Sequence, residues 1–416
     1  MKVYRVSLPP HPGPLPVEPS PVAATQGDWR NLGVGLWKAR NGEAAWEAAA
    51  ARCYPPVTQG GLGGWLGLRA ETYGLAAAFA QHGLKTGLRG THPVGVGARG
   101  RATIVRDLAL PEHPFFVPGR TFAVRLRHAN GSFNDDAACT LRGCALKFAD
   151  RDGASPFDMI FNSGSQGPLW SVDSFVTFSK SRLASRPEVG DFDAQGRLMD
   201  ALPAYYVSWI ESVREAPTSF ADLVYHSQVV FPYVGCDGRL RYCRYRLRRP
   251  DLTRESGLPD EARQRVVWTM QRNPEDDRPL DYLREEFVAR VGAGPLTYML
   301  QIQVREPADG DTQAIFHLNR PWDEARHPWH DLAEIELGAA MTSAETDHTT
   351  FSLGHQPEGS GIFHATSAQD YHSVAWARVR MYQFGQWGRA WRGVPAEAAR
   401  PELPARRARG QDVQPR

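Results

Sequence analysis

The C-terminal part of the chain carries a phenol and two guanidinium groups at a spacing that could do chemistry. Arg378, Tyr382 and Arg389 stand at positions i, i+4 and i+11, which share one face of an α-helix. A neighbouring guanidinium favours the phenolate form of a tyrosine. A phenolate is a hard anionic ligand that can hold a ferric haem iron from one side. A tyrosine on an amphipathic helix is more often a core residue, so this segment alone does not establish that Tyr382 holds an iron.

A second segment could supply the opposite side of such a site. Arg89, Thr91 and His92 lie within the short sequence RGTHP. A neutral imidazole is a common general base near neutral pH. A single histidine is usually a satisfied core or surface residue, so the hypothesis depends on the two segments being brought together.

Two further motifs carry weaker signals. Gly95-Val-Gly97-Ala-Arg-Gly100 spells GxGxxG, but a strand pattern follows it where dinucleotide binding needs a helix. Close approach of the backbone to a flat ligand is a better use of these glycines. His327-Pro-Trp-His330 could be a metal pair, but its proline and the lack of an obvious third ligand favour a surface loop.

The elements that must position these residues change in character along the chain. Helices are predicted near 42–53, 70–84, 277–291 and 367–392. Between the second and third of these, β-rich runs such as TFAVRLRH, CALKFAD and FDMIFNS predict strands. Cys236-Asp-Gly-Arg predicts a hairpin turn between SQVVFPYV and LRYCRYRLRR. The order indicates an α+β fold, with a large antiparallel sheet or barrel and helices before and after it.

Bulk properties exclude several classes of protein. The net charge of +2 over 416 residues gives no global sign of nucleic-acid binding. No apolar stretch reaches the roughly 18–20 residues of a membrane span, although contact with a membrane surface stays open. The five cysteines form no CxxC, which favours reduced thiols and a cytoplasmic location. We expect a Pro-rich extension over 1–26, one domain over 27–394 and a disordered tail over 395–416.

Four segments, in one order along the chain, resemble the catalase superfamily and more closely its allene oxide synthases. RGTHPVGVGARG is similar to the segment of the distal histidine, and VRLRHANGSFNDDAACTLRGCALKF resembles the stretch that follows it. FDMIFNSGSQGPLWSVDSF resembles the segment of the distal asparagine. ARVRMYQFGQWGR fits the proximal Arg-x-x-x-Tyr with a second arginine seven residues on. The resemblance covers about 85–180 and 362–392, and the region 185–360 matches poorly.

The resemblance implies a catalase-like antiparallel β-barrel with surrounding helices, and a ferric haem b bound between a tyrosine and a histidine. Tyr382 would be the axial ligand with Arg378 as its partner, while His92 and Asn162 would face the substrate. Phe175 would lie near the haem face. Three arginines match the family positions that bind the haem propionates through paired hydrogen bonds: Arg89, Arg125 and Arg389.

The resemblance also implies an activity on hydroperoxides. True catalases usually carry valine where this chain has Thr91, and allene oxide synthases carry threonine, so Thr91 favours organic hydroperoxides over hydrogen peroxide. The expected reaction is dehydration or rearrangement of a fatty-acid hydroperoxide, with a lipoxygenase upstream. The segment Ser163–Gly167 is small and polar where catalases place an aromatic, which could open or polarise the pocket.

Two alternatives stay open at the level of the sequence. The first is a catalase or an organic-peroxide-dependent haem peroxidase, including one that serves secondary metabolism. The second is a non-catalytic haem store or sensor. The pair formed by His92 and Asn162 argues against the second, because storage needs no groups that handle protons.

Overall fold

A computed structural model describes residues 2–6, 8–11, 15, 37–53, 60–131, 134–150, 155–185 and 190–392. The predicted C-terminal tail lies outside the described residues, and the predicted N-terminal extension is described only in part. The strands are β1 (Val3–Tyr4), β2 (Gly95–Ile104), β3 (Thr121–Asn130), β4 (Thr140–Lys147), β5 (Asp158–Ser163), β6 (Val213–Arg214), β7 (Tyr225–His226), β8 (Phe231–Val234), β9 (Leu240–Arg248), β10 (Leu296–Arg305), β11 (Trp329–Ala340) and β12 (Ile362–Phe363).

The helices precede, interrupt and follow the strands. They are α1 (Glu43–Cys53), α2 (Leu62–Thr86), α3 (Val172–Ala184), α4 (Asp193–Ala201), α5 (Pro203–Ser212), α6 (Glu261–Gln264), α7 (Tyr282–Ala293), α8 (Ser343–His348) and α9 (Ser373–Arg392). Short 3₁₀ turns lie at Phe220–Asp222, Val267–Thr269 and Gln313–Phe316. In the described part of the chain, no helix combines the length and hydrophobicity that crossing a bilayer requires.

The centre of the fold is a closed antiparallel barrel. Strands β10, β11, β2, β3, β4, β5, β7 and β9 pair in that order, and β9 pairs again with β10. An eight-stranded barrel has an interior that side chains can fill. Leu126, Leu146 and Met159 form one such buried row across β3, β4 and β5. The predicted α+β fold with an antiparallel barrel is therefore confirmed.

The outer face of β3, β4 and β5 differs from the interior because its residues, apart from Ile160, are small or polar rather than bulky and apolar. Side chains alternate between the two faces of a strand, and paired residues share a face. Three cross-strand rows make up this outer face: Ala129, Gly143 and Asn162; Arg127, Ala145 and Ile160; Arg125, Lys147 and Asp158.

Helices α2 and α9 pack closely against each other over this region. A Cβ atom on Gly83 would lie 3.0 Å from the backbone nitrogen of Arg389, and one on Gly388 would meet the carbonyl of Ala80. Small residues at these positions let the two backbones approach. Leu68 and Met381 belong to the apolar cluster beside this contact. The long C-terminal helix is therefore held in one orientation relative to the sheet.

Several elements differ from the sequence-based prediction. Helix α2 begins at Leu62, about two turns before the predicted 70–84. Strand β11 was not predicted, although Ala333, Ile335 and Leu337 alternate as buried residues along it. The surface-loop prediction for His327-Pro-Trp-His330 is wrong for its second half, because Trp329 and His330 begin this barrel strand.

The N-terminal extension joins the domain at its first residues. Val3 and Tyr4 form a parallel pair with Ile362 and Phe363, and Leu15 is buried in the main core.

The hairpin prediction at 236–239 is confirmed, since β8 and β9 pair across it with Gly238 at φ 72°. Cys139, Cys144, Cys236 and Cys243 are free thiols.

Candidate functional site

A cavity lies between helix α9 and the outer face of the sheet. It encloses roughly 660 Å³ of atom-free space, part of it open to solvent, which falls within the usual range of cofactor and ligand sites. Ala129, Gly143, Ala145 and Ile160 form its sheet side, so most of this wall is small or apolar. The cavity brings together the two segments that the sequence analysis singled out, since both His92 and Tyr382 line it.

Tyr382 enters the cavity from α9 and is held by the arginine one turn before it. The guanidinium of Arg378 donates two hydrogen bonds to the phenol oxygen, from Nε at 3.0 Å and from Nη2 at 2.8 Å. Two donors from a cation stabilise negative charge on that oxygen. The i, i+4 spacing therefore produces the predicted Arg378–Tyr382 pair, and ligation of iron by this oxygen stays a prediction.

His92 reaches the cavity from the bend between α2 and β2. Its backbone N–H donates to the carbonyl of Gly131 at 2.7 Å, and its φ of 54° lies in the left-handed region. The proline that follows, Pro93, disfavours the right-handed helical region for His92 and predicts an extended backbone, which the structure does not show. A left-handed backbone is uncommon for a residue with a side chain and often marks a functional constraint.

The ring of His92 lies directly against Gly143 of β4. A Cβ atom on Gly143 would come within 2.6 Å of the ring atoms Nδ1 and Cε1. Any residue other than glycine at this position would therefore displace the imidazole. Asn162 is the register partner of Gly143 on β5, so its side chain leaves the sheet on the same face.

The environment of His92 keeps its imidazole neutral. Burial, together with the positive charges of Arg127 and Arg378, lowers the pKa of His92 to about 4. Nearby backbone groups of Asn130 and Ala129 offset part of this effect. At neutral pH the ring can therefore accept a proton, as a general base must.

Acid is expected to destabilise the protein because several other histidines are also buried in neutral form. Burial lowers the pKa of His113, His128, His317 and His372 below the ordinary 6.5. As pH falls below 6.5 the unfolded chain therefore binds protons first, and each group removes up to about 1.4 kcal/mol of unfolding free energy per pH unit. We expect the melting temperature to fall steadily from pH 7 to pH 5. A flat profile over this range would contradict the neutral assignments.

An arginine cluster forms one end of the cavity. Arg89, Arg127 and Arg389 all line it. Burial and the neighbouring Arg89 lower the pKa of both Arg127 and Arg389, and Asp347 counteracts this in each case. The guanidinium of Arg89 also lies 3.8 Å from the carboxylate of Asp347. Three arginines around one carboxylate leave excess positive charge, which suits a ligand with its own carboxylates.

Arg127 is the site residue that the sequence analysis missed. It lies on β3 two residues after Arg125, so both point to the outer face of the sheet. Arg127 donates to the carbonyl of His92 at 3.1 Å, and its Nε has no hydrogen-bond partner in the described part of the chain. Side-chain alternation along β3 would place Arg127 on the outer face of the sheet, but only once the pairing of β3 with β4 was known.

Arg125 and Phe175 lie near the cavity without lining it. Arg125 donates to the Thr349 hydroxyl at 3.2 Å and to the carbonyl of Asp150. Phe175 of α3 packs in the apolar cluster against which Tyr382 also rests. Their predicted roles toward a haem stay predictions.

Thr91 lines the cavity beside His92. The Nδ1 atom of His92 is buried and has no hydrogen-bond partner among the described residues, so the hydroxyl does not bond to that nitrogen here.

The segment Ser163–Gly167 is buried behind the cavity rather than open to it. The glycines of the GxGxxG motif lie in β2 beside Arg127, Met341 and Glu336, and a flat ligand does not explain them.

The residues that line the cavity fit a haem. A phenol held by a guanidinium lines it, the Nδ1 atom of His92 lies against Gly143 with no hydrogen-bond partner in the part of the chain that the structure describes, and the arginine cluster suits two carboxylates. These observations come from three separate elements, namely α9, the bend before β2, and β3. A planar group with two carboxylates, bound between the sheet and α9, would need all three of these features.

Replacing Arg127 should weaken binding of the haem carboxylates. Because a hydrogen bond to a charged group contributes about 1.5–3 kcal/mol, Arg127→Met should raise the dissociation constant of ferric haem roughly tenfold or more. The dimethyl ester of haem should show no such difference between variant and wild type. Arg101→Met, at an exposed position on β2, is the matched control. Equal affinities of the Arg127 variant and wild type for haem would remove Arg127 from the site.

No protein-family model matches the chain. The chain is 37% identical over 366 residues to the allene oxide synthase-lipoxygenase protein of Plexaura homomalla, covering 86% of this chain and 33% of that protein. It is 29% identical over 345 residues to linolenate 9R-lipoxygenase of a Nostoc species, covering 80% of this chain and 42% of that protein. The chain therefore spans less than half the length of these two relatives.

Further comparisons connect the chain to catalases. It is 26% identical over 239 residues to the catalase-related peroxidase of Mycolicibacterium paratuberculosis, covering 55% of this chain and 68% of that protein. Among solved structures, catalase A from Saccharomyces cerevisiae superposes with a TM-score of 0.57 at 16% identity, covering 76% of this chain and 64% of that chain. A fungal catalase gives a TM-score of 0.56 at 17% identity, covering 75% and 62%.

Proposed function

We propose that this chain is a member of the catalase superfamily, that it binds haem b in the ferric state, and that it dehydrates organic hydroperoxides, with fatty-acid hydroperoxides as substrates. The observation that carries this proposal is the cavity that joins the Arg378-bound phenol of Tyr382 to the neutral imidazole of His92. A relative named as an allene oxide synthase-lipoxygenase protein supports the reaction class.

The chain's own residues would hold the haem on two sides. Tyr382 would supply the oxygen that holds the iron, and Arg378 would orient that oxygen through its two hydrogen bonds. Arg89, Arg127 and Arg389 would bind the carboxylates at the other end of the cavity. When bound, the haem supplies the chemistry that breaks the O–O bond.

His92 would handle the proton. Its neutral imidazole takes the proton of the hydroperoxide O–H and returns it to the departing oxygen, which leaves as water. The other hydrogen of that water comes from the substrate carbon chain, so dehydration needs no external reductant. Apolar side chains such as Ile160, Phe351 and Met381 limit solvent around the reacting group.

A lipoxygenase-type reaction is the natural source of the substrate. A fatty-acid hydroperoxide forms when a polyunsaturated fatty acid is oxygenated, and two of the relatives carry lipoxygenase in their names. We propose that an enzyme of this class acts before the present one. Co-incubation of a lipoxygenase, its fatty acid and this protein should yield dehydrated product with no added hydroperoxide.

A second candidate function is a catalase-related peroxidase. The likeness to a protein of that name supports it. The two functions differ in what they consume, since peroxidase turnover needs an electron donor and dehydration does not. Product formation without any donor would favour dehydration.

Thr91 should suppress reaction with hydrogen peroxide. It lines the cavity next to His92, and a hydroxyl there can hydrogen-bond to a reoriented imidazole and reduce its basicity. We expect Thr91→Val to raise oxygen release from hydrogen peroxide by roughly tenfold, the effect of about one hydrogen bond. Thr91→Ser keeps the hydroxyl and should behave like wild type. Equal rates for the valine and serine variants would show that Thr91 has no such role.

The experiment that tests the proposed function is a substrate panel. Haem-loaded protein is given hydrogen peroxide, a small alkyl hydroperoxide and several polyunsaturated fatty-acid hydroperoxides, and both consumption and oxygen release are measured. We expect the fatty-acid hydroperoxides to be consumed fastest, without oxygen release. Fast oxygen release from hydrogen peroxide would overturn the proposal in favour of a catalase.

A further inference from the structure

A buried hydrogen-bond network surrounds Gln228, between β7 and β8. Gln228 is 5% exposed, and its φ of 60° places a non-glycine residue in the left-handed region. Its Nε2 donates to the carbonyls of Gln166 at 2.9 Å and Gly164 at 3.1 Å, with a longer contact of 3.5 Å to that of Ser163. The backbone of the small polar segment after Asn162 therefore binds one end of this side chain.

This segment is itself fixed to the end of α5 and to the loop after the 3₁₀ turn Gln313–Phe316. The Ser163 hydroxyl donates to the carbonyl of Ser212 at 2.5 Å, and the Ser165 hydroxyl donates to Glu211 at 2.7 Å. The Gly167 N–H donates to the carbonyl of Leu318 at 3.1 Å. The carbonyls that face Gln228 are consequently held in place.

These contacts determine how both amides are oriented. Backbone carbonyls only accept hydrogen bonds, so the NH₂ group of Gln228 must face Gly164 and Gln166. Its Oε1 then faces Asn162, and an oxygen can only accept. Asn162 must therefore turn its own NH₂ group towards Gln228, as the 3.3 Å contact from Nδ2 to Oε1 indicates.

The remaining oxygen of Asn162 is not used by this network. Its Oδ1 is buried and has no hydrogen-bond partner among the residues that the structure describes. Asn162 pairs with Gly143 on the same sheet face, and the ring of His92 lies against Gly143. Asn162 is therefore the cross-strand neighbour of the residue on which the imidazole rests.

We propose that Gln228 is a positioning residue that locks Asn162 with its carbonyl oxygen towards the distal ligand, so that the site binds ligands that donate an O–H there. The inference deepens the proposed function and rests on it. A neutral hydroperoxide carries such an O–H on entering the site, before His92 takes that proton, whereas a ligand that enters as an anion offers only acceptors and is disfavoured next to another oxygen. The small polar segment after Asn162 contributes indirectly, because it fixes Gln228.

Fluoride binding to the ferric haem protein tests this orientation without hydroperoxide turnover. Fluoride accepts hydrogen bonds, so an amide oxygen beside it gives no stabilisation and an amide N–H does. Gln228→Met removes the partner of Nδ2 and lets Asn162 present its NH₂ group. We expect the fluoride dissociation constant, from absorbance titration, to fall about tenfold, the effect of one hydrogen bond to an anion.

A double-mutant cycle assigns the effect to Asn162. The gain from Gln228→Met should vanish when Asn162→Ala is also present, because the rotated amide is then missing. Asn162→Ala alone should leave fluoride affinity within about twofold of wild type, since it removes no donor. Gln195→Met is the matched control, because it places methionine at another buried glutamine, on α4.

The outcomes separate this inference from the proposed function. Failure of the protein to take up haem would overturn both. Normal haem uptake with unchanged fluoride affinity in Gln228→Met would overturn the positioning role alone. A roughly tenfold loss of affinity in Asn162→Ala would also overturn it, because the wild-type amide would then be donating to the ligand. This last variant keeps the test available if Gln228→Met does not fold.

Discussion

Tyr382→Phe is expected to abolish stable ferric haem binding. The substitution removes only the oxygen that Arg378 holds at 2.8 and 3.0 Å, and keeps the ring on α9. Loss of an outer-shell partner typically costs about 10–100-fold in metal affinity, so loss of the ligand itself should cost more. Haem titration and the absorbance spectrum measure this directly, and the charge-transfer bands of a tyrosinate complex should disappear.

Two further variants make this prediction specific. Arg378→Leu keeps the phenol and removes its two donors, so it should lie between wild type and Tyr382→Phe, with about a 10–100-fold loss. Tyr73→Phe removes a phenol oxygen from an exposed position on α2 and should bind haem like wild type. An unchanged spectrum in Tyr382→Phe would refute the assignment of the axial ligand.

His92→Ala should have the largest effect on turnover while leaving haem bound. General acid–base catalysis contributes about 10²–10⁴-fold, so hydroperoxide consumption should fall by that factor. The ring rests on Gly143 and not on α9, so the tyrosine side of the site is undisturbed. His82→Ala, at a partly exposed histidine on α2, is the control. Turnover of His92→Ala at the wild-type rate would show that another group moves the proton.

The same residue sets the pH dependence of the wild type. Because burial lowers the pKa of His92 to about 4, the imidazole remains able to accept a proton at pH 5. We expect kcat/KM at pH 5, measured within the stability limit of the protein, to be close to its value at pH 7. A decline centred on the ordinary histidine pKa of about 6.5 would contradict the buried, neutral assignment.

The parts of the site that lie within one helix could be predicted from the sequence. Arg378, Tyr382 and Arg389 share a helical face by spacing alone, and the structure places all three along α9 as the pattern requires. Strand β3 was also predicted, because Val124 and Leu126 alternate with arginines within the run TFAVRLRH. Strand β4 was predicted only in its second half, since it begins at Thr140, four residues before the run CALKFAD. Local periodicity carries this information without reference to the rest of the chain.

The parts that depend on pairing between strands could not be predicted in this way. Arg127 and Gly143 can contribute to the site only because the register of β3 with β4 places both residues on the same outer face of the sheet. The left-handed backbone of His92 depends on its bond to Gly131 and on the space above Gly143. Gln228 lies in the poorly matching region 185–360, and its role follows from carbonyls more than 60 residues earlier in the chain.

The proposed dehydration is tested most directly by the product formed from a fatty-acid hydroperoxide in water enriched in ¹⁸O. We expect dehydration without added reductant, to an unstable epoxide that water opens to an α-ketol. The hydroxyl oxygen of that ketol should carry the label from water, and its keto oxygen should derive from the hydroperoxide. Recovery of the corresponding alcohol, formed only when a reductant is present, would contradict the account and identify a peroxidase.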